Sequence, residues 1–192
     1  MLAPAVVKAS GINFTIYIIM KKYLIATVLL IIVNGCGVEI KSVVENSTTR
    51  DPFTNPLIVI PYEIGKTKAF TAQLTNKIEE KFKLENKKVE ILLVEQNRDD
   101  LTLNSSDDIN TKINMHILQD KKDLILVFKL THLQYYNNEL HSVTYIITGT
   151  DLKTKKEIWK AEFSSTSSWG PALFAEKSAI SIYEQLKADR VL

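Results

Sequence analysis

The side chains of this 192-residue chain that could do chemistry are few. Its single cysteine, Cys36, excludes an intramolecular disulfide, a cysteine zinc site and a Cys-X-X-Cys redox pair. Gly65-Lys66-Thr67 lies between an apolar run and a helical periodicity, where a phosphate-binding loop would end. Such a loop needs glycine at its first position and small residues behind it, so that backbone N–H groups can reach a phosphate. Ile60, Pro61, Tyr62 and Glu63 stand there instead, and the segment reads as a polar loop with Thr67 capping a helix. A helical metal pair needs ligands at i and i+4, but His116 has Asp120 there and Lys112 behind it. His132 and His141 fall on neighbouring strands, offset by about two residues, with no carboxylate at ligand spacing. The stretch from Asp99-Asp100 to Asp107-Asp108 lacks the glycine and alternating oxygens of a calcium loop. The serines of 164–168 have no base within local reach, and no Gly-X-Ser-X-Gly elbow exists. No catalytic residue, cofactor site or metal ligand is assigned, and the sequence points away from an enzyme.

Cys36 takes its meaning from what precedes it. From Met20 the chain reads MKKYLIATVLLIIVNGCG: two lysines, eleven residues from Tyr23 to Val33 without charge, amide or proline, then Asn34-Gly35-Cys36. A basic start, a short apolar stretch and a small residue before a cut make a secretory signal, and the stretch is shorter than the roughly 20 residues that span a bilayer core. Val33-Asn34-Gly35-Cys36 resembles the bacterial lipobox, with Val33, Gly35 and Cys36 matching and Asn34 departing from it. The resemblance implies cleavage before Cys36 and transfer of diacylglycerol to its thiol. Residues 20–35 are then the lipoprotein signal peptide. Residues 1–19 read as a mis-called extension, with translation starting at Met20, because a start at Met1 would leave Lys21 and Lys22 in the middle of an apolar stretch.

The charge balance argues against a nucleic-acid binder. Residues 1–35 hold Lys8, Lys21 and Lys22 and no acid, so the formal charge of +2 becomes −1 from Cys36 onward. A nucleic-acid binder keeps a basic surplus in its folded part, since phosphate neutralisation supplies most of its affinity. Apolar residues at 45% and charged residues at 24% describe a globular chain rather than a disordered one.

The elements follow from periodicity. Residues 36–55, with the polar, proline-closed Glu45 to Pro52, read as a flexible tether, and 56–192 as a single domain. Leu57 to Ile60 predicts a buried strand. Phe70, Leu74, Ile78 and Phe82 recur every four residues and predict a helix. Val89 to Val94 predicts a second strand, and Ser106-Asp107-Asp108 opens a helix with Ile109, Ile113 and Ile117 on one face. Asp123 to Tyr136 predicts a long strand, apolar on both faces at first, that turns at Asn137-Asn138-Glu139 into a strand from Leu140 to Thr148. Glu157 to Ser164 follows, with Trp159, Ala161 and Phe163 on one face and Lys160 and Glu162 on the other. Pro171 starts a last helix carrying Ala172, Ala175, Ala179, Ile182, Tyr183 and Leu186. The order β-α-β-α-β-β-β-α predicts an α+β domain: a mixed sheet, its last three strands an antiparallel meander, packed against helices.

Asp151-Leu152-Lys153-Thr154-Lys155-Lys156-Glu157-Ile158-Trp159-Lys160-Ala161 resembles a hairpin of small envelope lipoproteins and modules like the TolB amino-terminal domain, CsgG and the LpoB-type activators. Lys155 stands where that group usually has glycine. The resemblance implies envelope assembly, or regulation of a partner, through protein contacts, and carries over no catalytic residue. The expectation is an outer-membrane protein of a Gram-negative host, held by lipid on Cys36 and facing the periplasm. An envelope protein is its expected partner, self-association is compatible with the fold, and nucleic acid is not expected. Two alternatives stand beside it: a periplasmic carrier holding a lipid or glycan in a helix–sheet crevice, and an unrecognised hydrolase.

Overall fold

The computed structural model describes residues 36–45, 51–63, 65–95, 104–167 and 171–192, with the side chains of Cys36, 104–110, 167 and 171–173 excepted. Residues 1–19 and 20–35, read above as an extension and a signal peptide, lie outside these residues, as do Asp99 and Asp100. Nine elements follow in order: β1 (Cys36–Val44), β2 (Pro56–Tyr62), α1 (Lys68–Leu84), β3 (Glu90–Glu95), α2 (Asn104–Asp120), β4 (Leu124–Tyr136), β5 (Glu139–Asp151), β6 (Lys156–Ser167) and α3 (Pro171–Ala188). The six strands form one open sheet in the order β1-β6-β5-β4-β2-β3. β2 runs parallel to both β3 and β4, and the other neighbours are antiparallel. From residue 56 onward this is the expected α+β order.

The tether is a correction. Residues 36–44 are the edge strand β1, with Cys36 opposite Ser167 and Val44 opposite Trp159. Val38, Ile40 and Val44 pack against the core, while Glu39, Lys41 and Val43 face outward. That alternation spans only a few residues, and its partner lies more than a hundred residues downstream. Residues 54–55 are pinned rather than loose: the Asp123 carboxylate accepts the backbone N–H of Thr54 at 2.7 Å and of Asn55 at 3.0 Å.

One face of the sheet is closed by α1 and α3. The stripe of Phe70, Leu74, Ile78 and Phe82 is buried against Phe174, Ala179, Ile182, Tyr183 and Leu186 and the inner side chains of β2, β4, β5 and β6. Phe70 and Phe174 meet with ring centres 4.6 Å apart, and Phe82 meets Tyr183 edge-on at 5.0 Å. Trp159, Ala161 and Phe163 all point inward and are buried, while Lys160 and Glu162 are exposed. The Trp159 indole N–H donates to Asp189 at 2.7 Å, so the ring is packed and its polar edge satisfied. Gly149 lies opposite Trp159, and a Cβ there would stand 3.2 Å from both Leu126 and Trp159.

The other face is closed only in part. Leu57, Val59, Val94 and Ile125 form a small second cluster, joined by the half-buried Ile113 and Ile117 of α2. Leu124, Leu126 and Phe128 alternate with Ile125 and Val127 between the two clusters, as the doubly apolar run of β4 requires. Across β5, β6 and β1 this face presents Thr144, Thr148, Lys160, Glu162, Ser164, Glu39 and Lys41.

Candidate functional site

The N-terminal ends of the parallel strands meet the C-terminal ends of α1 and α2 around an open groove of about 720 Å³. Asn55, Glu79, Lys83, Asn86, Lys87, Lys88, Val89, Glu90, Asp120 and Lys122 line it. Asn86 adopts a left-handed backbone (φ 55°) that ends α1 and turns the chain toward β3. Its floor is an ionic cluster. The Lys122 side chain is only 4% exposed, and its ammonium meets Glu90 at 2.8 Å and the Asn55 side-chain oxygen at 3.1 Å, with Asp120 at 3.6 Å. Glu90 also pairs with His116 of α2. Burial pushes the Glu90 carboxyl up, but the hydrogen bonds from Lys122 and His116 outweigh it and hold the group below the usual carboxylate range. A carboxylate held ionised this firmly is poorly placed to give up a proton near neutrality, which general-acid work needs. The cluster ties α2 to β3 and to the start of β2. Above it Lys83, Lys87 and Lys88 form a basic rim.

The residues singled out by their chemistry do not converge on this groove. Gly65-Lys66-Thr67 forms a turn folded onto Glu63: the Glu63 carbonyl accepts the N–H groups of Lys66, Thr67 and Lys68, and its carboxylate pairs with the Lys66 ammonium at 3.1 Å. Backbone donors a phosphate would need are already used. Thr67 occupies the cap position as expected, but its hydroxyl accepts the Glu63 N–H at 2.9 Å and makes no capping bond to the helix. His132 pairs across the sheet with Thr144 and is exposed, and a register shift beyond Gln134 separates it from His141. Ser164 bonds Thr144 at 2.8 Å, and Ser165 bonds the buried Ser178 at 2.9 Å. No group of three or more histidine, cysteine or acidic side chains among the described residues could hold a metal. Of the three histidines only His116 reaches the groove, through a carboxylate partner 26 residues away in sequence. No local spacing signals that pair.

The hairpin of the envelope-protein resemblance folds as a tight turn. Asp151 accepts the N–H groups of Lys153 and Thr154 and the Thr154 hydroxyl, the last at 2.8 Å. Lys155 takes the left-handed conformation (φ 60°) usually left to glycine. The ladder slips between Gly149 and Thr150, which places Ile158 and Trp159, adjacent in sequence, both in the core.

With this geometry in view, solved structures supply a relative of the fold. It resembles that of PelC. Two crystal forms of the PelC dodecamer from Paraburkholderia phytofirmans superpose with TM-scores of 0.51 and 0.50 at 10% identity, covering 81% and 80% of this chain and 99% of theirs. A lipoprotein from Neisseria meningitidis overlaps at a TM-score of 0.39 and 11% identity, over 70% of this chain and 99% of its own. No family model matches, and no curated protein does. At 10% identity the PelC likeness concerns the fold alone.

Proposed function

We propose that the mature chain is a lipid-anchored module of the cell envelope that works through contacts with other proteins, copies of itself included, and not through chemistry of its own. The observation that carries this reading is the open sheet. Among the described residues neither β1 nor β3 has a strand on its outer side. Such edges offer unpaired backbone groups to another chain. Because the two edges differ, joining one to the other is a head-to-tail contact, which closes into a ring when the rotation per subunit allows. The PelC structures of similar fold are dodecamers, which supports self-association. A carrier would hold an apolar cavity between helices and sheet. Here that crevice is filled by aromatic and aliphatic side chains, and the groove at the strand ends is lined by charge. Lipid on Cys36 would place the module at the periplasmic face of the outer membrane. Among the described residues no helix is long and apolar enough to cross a membrane.

Light scattering of the full-length, detergent-solubilised protein tests the contact reading. Higher-order species should form and should be lost in Leu93→Lys, which puts a charge on the exposed outer strand β3. A monomer at every concentration, with no protein co-purifying from native membranes, would overturn the proposal.

A further inference from the structure

The sheet has two ends, and its register fixes which of them Cys36 occupies. Gly37 pairs with Thr166, Thr166 with Ser142, and Ser142 with Gln134, so these four residues form one row across β1, β6, β5 and β4. Cys36 and Tyr135 each stand one residue beyond that row, on the same side. Three strand spacings of about 4.8 Å put them roughly 14 Å apart. Tyr136, 71% exposed, and the Asn137-Asn138 turn project further still. The groove lies at the opposite end, since Asn55, Glu90 and Lys122 precede or begin β2, β3 and β4.

Cys36 is itself the first residue of β1, with no spacer between it and the ladder. A lipid on that residue therefore has no free chain by which the domain could swing. Tyrosines suit the layer that would meet them: the ring is apolar, the hydroxyl is polar, and such residues collect where membrane meets water. The tip from His132 to His141 carries one acid, Glu139, and no lysine, while the groove end carries Lys83, Lys87, Lys88 and Lys122 and the turn beside it Lys153, Lys155 and Lys156.

We infer that the β4–β5 hairpin tip is a membrane-contacting surface: Tyr135 and Tyr136 rest in the lipid headgroup layer beside Cys36, and the lysine-rimmed groove is held away from the bilayer at the far end of the sheet. This rests on the lipidation of Cys36 proposed above. The lysines would favour the reverse orientation on an anionic surface. The missing spacer decides against it.

Labelling the lipidated full-length product tests the orientation, because lipid occupies the Cys36 thiol and any introduced cysteine is then the sole free one. Tyr136→Cys, with Glu139→Cys as a second tip position, and Val43→Cys are labelled with a polarity-sensitive fluorophore. Each is reconstituted into phosphatidylethanolamine–phosphatidylglycerol vesicles containing a headgroup-quenching lipid. Val43 is 73% exposed and lies seven residues along β1 from Cys36, roughly 23 Å at strand rise. The tip labels should shift to the blue and be quenched several-fold more strongly than the label at Val43. Equal quenching at both ends, or stronger quenching at Val43, overturns the orientation. An intact mass showing an unmodified Cys36 in the same preparation overturns the lipidation beneath it instead.

Discussion

The two faces of the sheet are built to different standards. On one, α1 and α3 bury a continuous layer of aromatic and aliphatic side chains, with Trp159, Tyr145, Phe163 and Phe174 all below 2% exposure. On the other, α2 rests on a cluster of four buried residues through the half-buried Ile113 and Ile117, and leaves Met115 and Leu118 in solvent. Stability therefore resides in the first face, where close packing yields its full dispersion and transfer gain. The second face is held at its end by the Glu90–Lys122–His116 cluster, and among the described residues no helix covers its other half.

Trp159→Ala should widen that contrast most. Removing the ring empties a dense site and leaves Asp189 without its indole donor, and the loss should be about 3–5 kcal/mol in a denaturant melt. A loss below about 1 kcal/mol would mean that the first face is not the stabilising one.

Gly149→Ala probes the same face by overfilling it. A methyl group 3.2 Å from the Trp159 Cβ and a Leu126 methyl fits only if both neighbours give by a few tenths of an ångström. The expected cost is about 1–3 kcal/mol by the same melt.

Glu90→Gln probes the second face. It leaves the nearly buried Lys122 ammonium without its closest counter-charge, for an expected loss of about 1–3 kcal/mol at neutral pH. Because the folded-state carboxyl titrates below its usual value, its contribution is complete above the ordinary glutamate range of about 4.3 and disappears as the pH falls through the lowered value. Wild-type protein should thus lose stability on acidification below about pH 4.5, and Glu90→Gln should show a shallower slope there. Parallel slopes would show that Glu90 is not the titrating tie. At the small end, Lys160→Ala and Glu162→Ala should each change stability by less than about 0.5 kcal/mol. Both point away from the packed face.

What the sequence made legible follows the same division. The four-residue stripe of α1, the doubly apolar run opening β4 and the inward face of Trp159, Ala161 and Phe163 are local patterns, and each lies where its period predicts. The strand β1 was hidden because its few alternating residues gain their meaning only from β6. The groove was hidden for a related reason: Asn55, Glu90 and the pair His116 and Lys122 come from three separate stretches of chain, and each residue alone reads as a solvated polar one. Lys155 shows the converse, a position flagged by a missing glycine that the backbone does hold left-handed.

The envelope location and the orientation of the domain on the membrane both depend on Cys36. The most direct measurement is the intact mass of the protein extracted from its native membrane. It should correspond to a chain beginning at Cys36 and carrying a diacylglyceryl group, with that mass absent from Cys36→Ser. A membrane-bound chain with an unmodified Cys36, or one that retains residues 20–35, would contradict the account.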